Sequence, residues 1–125
     1  MTRASEARRT AWLWGRRGEW LAALWLRAKG YRILARHWRA AGGEIDLIAR
    51  RGALLAAVEV KARPDADTAA AALGPAQRRR IARAARAFLA RHPGLARLDL
   101  RFDVVLVVPG RRPRHIIDAW RDDAG

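Results

Sequence analysis

Two runs of alternating residues with a short turn between them constrain this chain most. Glu44 to Arg50 and Leu54 to Lys61 are each of strand length, and Arg51-Gly52 between them reads as a hairpin turn. Side chains alternate in direction along a strand, so Glu59 and Lys61 share one face while Val58 and Val60 share the other. Glu44 and Asp46 likewise share a face, opposed by Ile45 and Leu47. With a two-residue turn, Ile48 pairs with Leu55 and Asp46 with Ala57. Asp46 then lies on the face of Glu59 and Lys61, diagonal to Glu59, and Glu44 lies opposite Glu59. A loop one residue longer would reverse that parity.

The other elements follow from periodicity. Arg16 to Lys29 is helical, with Trp20, Leu21, Leu24, Trp25 and Ala28 as one apolar stripe, which assigns Trp20 and Trp25 to the core. Gly30 reads as its C-terminal cap. Residues 1–14 read as a flexible basic arm, and 15–122 as one domain. Tyr31 to Trp38 is a loosely alternating strand, and Arg39 to Gly43 a turn. Pro64 to Gly74 is a loop. Pro75 opens a second helix that runs to about Arg91 and stops at Pro93-Gly94. Ile81, Ala84, Ala85, Phe88 and Leu89 make its buried side, opposite Arg79, Arg83 and Arg86. Leu98 to Val108 is a strand whose run Val104 to Val108 is continuously apolar, as expected of a strand covered on both faces by helices. Arg114 to Ile117 reads as a short edge strand, with Asp118 capping a final turn that carries Trp120. The fold class is α/β, with a mixed central sheet flanked by helices.

Composition narrows the partners. A chain of 125 residues makes one domain. Its 26 Lys and Arg against 12 Asp and Glu leave a net charge of +14, a field that draws polyanions. The alternative is an arginine-rich solvated face without a ligand. The absence of cysteine excludes disulfides and thiolate metal sites, and His37, His92 and His115 have no zinc-site spacing. No apolar run approaches a membrane span, and Trp12-Leu13-Trp14 is too short for a signal-peptide core. The expectation is a cytoplasmic protein with no membrane association.

Carboxylates clustered on one face repel each other unless a cation joins them. Magnesium or manganese takes carboxylate, carbonyl and water oxygens, so Asp46 and Glu59 would hold the ion and the Val60 carbonyl would add a ligand. Such an ion polarises a phosphate and activates water, and Lys61 would orient that water or neutralise developing charge. A site of this kind holds its metal weakly without substrate. The residues alone leave a second reading open: a solvated acidic surface held by salt bridges.

Four stretches carry a resemblance. Gly18-Glu19, Gly43-Glu44-Ile45-Asp46-Leu47-Ile48-Ala49, Val58-Glu59-Val60-Lys61-Ala62-Arg63 and Arg101-Phe102-Asp103-Val104-Val105 resemble the small bacterial YraN-like family. That family is similar to the archaeal Holliday-junction resolvases of the PD-(D/E)xK nuclease superfamily. The resemblance spans about residues 15–120. It implies a restriction-endonuclease-like core and makes Glu19, Asp46, Glu59 and Lys61 the catalytic set. On the helical projection Glu19 points away from the apolar stripe, so it reaches the site only if the helix packs edge-on against the sheet. The alternative is an ordinary first-turn glutamate. Asp103 matches a recurrent family acid, with a structural job such as pairing with Arg101 or Arg63. Glu44 is a possible support for the site. The family commonly carries lysine at the start of the second helix, where this chain has Ala76; Gln77 or Arg78 is the substitute, or catalysis is lost and binding remains.

Arg63, Gln77, Arg78, Arg79, Arg80 and Arg83 are the candidate nucleic-acid contacts, since guanidinium forks pair with phosphate oxygens. Such contacts position a substrate without reading its sequence. No base-reading motif stands in the chain, which favours recognition of branched or partly single-stranded DNA, with RNA also open. Trp12, Trp14 and Trp38 could stack on unpaired bases or form a dimer surface. The resolvase likeness implies a homodimer. The expected function is a metal-dependent, structure-selective endonuclease. The alternative is a non-catalytic nucleic-acid-binding module that keeps the fold, as part of a repair or recombination assembly.

Overall fold

The structure is a computed structural model that describes residues 3–63 and 73–122, with side chains described at 6 and from 16 onward. Helix α1 (Arg3–Ala28) leads into the antiparallel strands β1 (Arg32–Ala40), β2 (Gly43–Arg51) and β3 (Leu54–Ala62). Helix α2 (Pro75–Arg91) and a 3-10 turn (Pro93–Leu95) cross over to β4 (Asp99–Val107), parallel to β3, and β5 (Arg114–Trp120) returns antiparallel. The five strands lie in sequence order in one mixed sheet, consistent with a restriction-endonuclease-like core. No helix among the described residues is long and apolar enough to cross a membrane.

Each helix covers one face of the sheet. On one side α2 buries Ile81, Ala84, Ala85 and Phe88 against Ile45, Ile48, Leu55, Phe102 and Trp120. On the other, Ala22, Ala23 and Leu26 of α1 meet Leu47, Ala49, Ala56, Val58, Val105 and Val107. Each fully buried Leu, Ile or Val contributes roughly 1.5–3 kcal/mol of transfer free energy. The central strands are therefore apolar on both faces, as their composition requires. Pro75 occupies the first turn of α2 after Gly74, and Pro93 follows the His92 cap that ends it.

Four sequence expectations change here. The backbone of residues 3–14 is not an arm but the first half of α1. That stretch contains neither glycine nor proline, and its Ala, Arg and Leu residues favour a helix. Its side chains, including Trp12 and Trp14, lie outside the described residues, as does the loop at 64–72. Second, the core face of α1 is the small one. Trp20 is 56% exposed and Leu24 40%, while Ala22, Ala23 and Leu26 are buried. The reason is close approach: a Cβ built on Gly18 would lie 2.6 Å from the Ala62 Cβ, so only small residues fit between α1 and β3. Third, Trp38 packs inward, edge-on to Phe88 with ring centroids 5.4 Å apart, so it is no free stacking platform. Fourth, β5 continues through Asp118 to Trp120, which stacks on Phe102 at 4.1 Å. The bend expected at Asp118 survives as a positive φ of 54° within the strand.

Candidate metal and nucleic-acid site

The β2–β3 turn is Gly52-Ala53 rather than Arg51-Gly52, with Arg51 paired to Leu54. Gly52 takes a φ of +60°, which a residue without Cβ enters cheaply. The turn keeps two residues and moves one along, so the register changes by an even step and parity is preserved. The observed ladder ends at Leu47 opposite Val58. One further step sets Asp46 directly opposite Glu59, not diagonal to it. The Val60 N–H donates to Asp46 Oδ2 at 2.8 Å. Glu44, expected opposite Glu59, pairs instead with Arg39 of β1.

The regular alternation slips at this rung. Ile45 and Ile48 both pack toward α2, although they are three residues apart, and Leu47 packs toward α1. Ala35 and Trp38 of β1, also three apart, both pack toward α2. The pairs Arg36–Leu47 and Trp38–Ile45 bracket His37 and Asp46. His37 has a φ of +48°, costly for a residue with a Cβ, by about 1–2 kcal/mol. The two irregular residues thus face each other, and α1 adds Glu19. One ligand atom from each of Glu19, His37 and Asp46 lies within 4.8 Å of the others.

This places the sequence-assigned residues together. Asp46, Glu59 and Lys61 are electrostatic neighbours: the two carboxyl groups influence each other's ionisation, and the charge of Lys61 favours ionisation of both. Glu59 is 5% exposed, and its Oε1 is buried with no hydrogen-bond partner among the described residues. Burial and the neighbouring Asp46 charge push the Glu59 carboxyl up to about 8. Burial raises Asp46 as well, partly offset by the Val60 N–H. Glu19 is raised too, by burial first, with Asp46 and Glu44 adding to it and His37 opposing. Its approach follows from the Gly18 contact: the small face that packs on the sheet carries Glu19 along its edge.

His37 is the residue that sequence reading missed. Its Nε2 lies 2.6 Å from Glu19 Oε2, and its Nδ1 3.1 Å from Glu44 Oε1. Burial alone would lower its pKa, but the bonds and charges of Glu44 and Glu19 outweigh burial and raise it. When protonated, the ring can donate from both nitrogens, one to each carboxylate. The signal was present. Counting back from a two-residue Ala41-Gly42 turn, which pairs Ala40 with Gly43, sets His37 across from Asp46.

The expected basic contacts scatter. Arg79 and Arg80 are exposed on α2, and Gln77 and Arg80 line a groove of about 500 Å³ with Arg39, Gly43 and Glu44. Arg78 is half-buried over the Trp120 ring at 5.9 Å, its Nε without a hydrogen-bond partner among the described residues. Arg83 Nε donates to the Ala41 carbonyl at 3.4 Å, and Arg63 Nη1 to the Ala62 carbonyl at 2.8 Å. Ala76 is exposed at the start of α2. Another groove, about 660 Å³, runs between α1 and β1 and is lined by Arg16, Trp20, Arg36 and Arg39 beside Glu19 and His37.

Asp103 is elsewhere and structural. It is fully buried, accepts from Arg101 Nε at 2.7 Å and Nη2 at 2.6 Å, from His115 Nε2 at 2.7 Å and from the Asp118 N–H at 3.0 Å. Arg101 also reaches the Tyr31 hydroxyl, and Lys29 Nζ donates to His115 Nδ1 at 2.6 Å. The expected Arg101 partner is therefore found, and Arg63 is not part of this network.

Comparison with known proteins places this geometry in a family. The family model described as "Uncharacterised protein family UPF0102" matches residues 18–107, from the glycine that seats α1 to the end of β4. The chain belongs to the UPF0102 family. It is similar to a UPF0102 protein of Parvibaculum lavamentivorans, 61% identical over 107 residues, which covers 86% of this chain and 80% of that protein. A UPF0102 protein of Paramagnetospirillum magneticum is 56% identical over 123 residues, 95% of each chain. One from Methylocella silvestris is 51% identical over 123 residues, 98% of this chain and 99% of that one. The match thus includes Glu19, His37, Asp46, Glu59 and Lys61.

Proposed function

We propose that this UPF0102 protein is a magnesium- or manganese-dependent endonuclease that hydrolyses phosphodiester bonds in branched or partly single-stranded DNA. The observation that carries this reading is the buried Asp46–Glu59 pair beside Lys61, with Glu59 Oε1 lacking a donor among the described residues. A buried carboxylate oxygen without a partner is costly, and a hard cation removes that cost. One ligand atom from each of Glu19, His37 and Asp46 lies within 4.8 Å of the others, a carboxylate-rich set that suits such an ion, with the Glu59 carboxyl beside Asp46. Asp46, Glu59 and Val60 would hold it. When bound, the ion supplies Lewis acidity toward a phosphate oxygen and toward water. The Lys61 ammonium steadies the attacking water or the charge growing on phosphorus. The Val60 N–H holds the Asp46 carboxylate in place through Oδ2. Glu19, held by His37, closes the site from the α1 side.

The motif resemblance to the archaeal Holliday-junction resolvases supports the same four residues and suggests a dimer that cuts two strands. Ala76, where the family commonly carries lysine, favours one other reading: a binding module that keeps the nuclease fold without cleavage. The test is a labelled panel of duplex, single strand, flap and four-way junction, with magnesium, manganese or chelator. Metal-dependent products that vanish in Asp46→Asn support the enzyme. Shape-selective, salt-sensitive binding without products from the wild type supports the binding module.

A further inference from the structure

The groove between α1 and β1 has a composition that the α2 arginines do not offer. Trp20 forms part of its wall and is more than half exposed. That exposure is imposed by packing. Rotating α1 to bury the indole would drive a larger side chain into the space between Gly18 and Ala62, where a single Cβ already meets an atom at 2.6 Å. Arg36 is exposed on β1 beside it. Arg39 is 78% exposed, and its ion pair among the described residues is a 3.3 Å contact with Glu44, solvent-exposed and of the kind readily exchanged for phosphate. Glu19 and His37 line the same groove, so it opens onto the carboxylate site.

Arginines alone track a phosphate backbone, paired or unpaired. An indole on the wall adds something only where a base is free to leave its own stack. We infer that this groove is the track for an unpaired DNA strand, with Trp20 stacking on a base while Arg36 and Arg39 hold the flanking phosphates. The assignment deepens the nuclease reading and rests on it for placing the scissile phosphate beside Glu19. Trp20 is here a specificity residue, not a catalytic one.

The test is fluorescence anisotropy of a labelled thymidine oligomer, a blunt duplex of equal length and a flap, all in chelator so that nothing is cut. Trp20→Ala should weaken oligomer and flap binding by about tenfold and leave the duplex within about twofold. Trp20→Phe should recover most of the loss, which a folding defect would not. Arg36→Ala should weaken all three substrates and reduce their salt dependence. Equal loss on all three substrates in Trp20→Ala, or no loss on the oligomer, would overturn the assignment. So would a wild-type dimer that dissociates in Trp20→Ala while strand binding is unchanged, because the indole would then have a protein partner. Cleavage of the flap with manganese separates the two proposals. Strand binding that needs Trp20, without Asp46-dependent products, keeps the groove and removes the nuclease. Asp46-dependent products with binding indifferent to Trp20 do the reverse.

Discussion

Glu59 and Asp103 are buried acids on neighbouring rungs of the same two strands: Val58 pairs with Asp103, and Glu59 with Val104. Their depth is nearly equal, at 5% and 0% exposure. Their chemistry is opposite. Asp103 has four hydrogen bonds, two of them from a guanidinium fork. Burial would raise its carboxyl, but His115, Arg101 and the Asp118 N–H together hold it down at about 2. Glu59 has a second acid for a neighbour and an oxygen with no donor, and is pushed up to about 8. Burial depth therefore does not separate the two acids; the donors around each do. An acid buried with its donors joins elements together, as Asp103 joins β4 to β5. An acid buried without them, like Glu59, is the one assigned to a cation in the proposed site.

The largest test of this contrast is Asp103→Asn. It leaves Arg101 without its counter-charge and loses one acceptor of a shared network, which should cost roughly 3–5 kcal/mol in chemical denaturation. The acid limb should show the same group. The folded pKa of Asp103 lies below its unfolded value, so its stabilisation is complete above that unfolded value and is lost as pH falls toward about 2. The difference between wild type and Asp103→Asn should accordingly shrink by about 2 kcal/mol over that range. A constant difference would assign the cost to packing alone.

Gly18→Ala tests whether the site depends on how α1 is seated. The added Cβ meets Ala62, and overpacking should cost roughly 1–2 kcal/mol. The same shift moves Glu19, so metal-dependent cleavage should fall further than the stability loss explains. The smallest stability effect belongs to Glu59→Gln, an uncharged replacement for an acid that burial already keeps protonated. Its stability without metal should stay within roughly 1 kcal/mol of wild type. Manganese should raise the Tm of the wild type and not of the variant, because only a ligand bound to the native state stabilises it. A large loss without metal would make Glu59 a second Asp103 and dissolve the contrast.

Local rules carried far. Alternation along β3 put Glu59 and Lys61 on one side from the chain alone, and the two-residue turn kept the β2–β3 register parity, although alternation along β2 slips at Asp46. The punctuation by Gly30, Pro75 and Pro93 set the ends of both helices, and the α2 face was legible from its 3.6-residue period. These depend on neighbours a few residues away, so the sequence by itself determined them. The tertiary structure decided what depends on elements meeting. It turned α1 onto its glycine–alanine face and left Trp20 outside, against the size of the side chains, because two backbones approach too closely for an indole. It seated α1 against the sheet edge, which brought Glu19 to the His37–Asp46 rung. It also turned Arg78 toward Trp120 and left Arg36 at the groove. Periodicity within one segment carries no information about the distance to another, and that distance chose the face of α1 and completed the site.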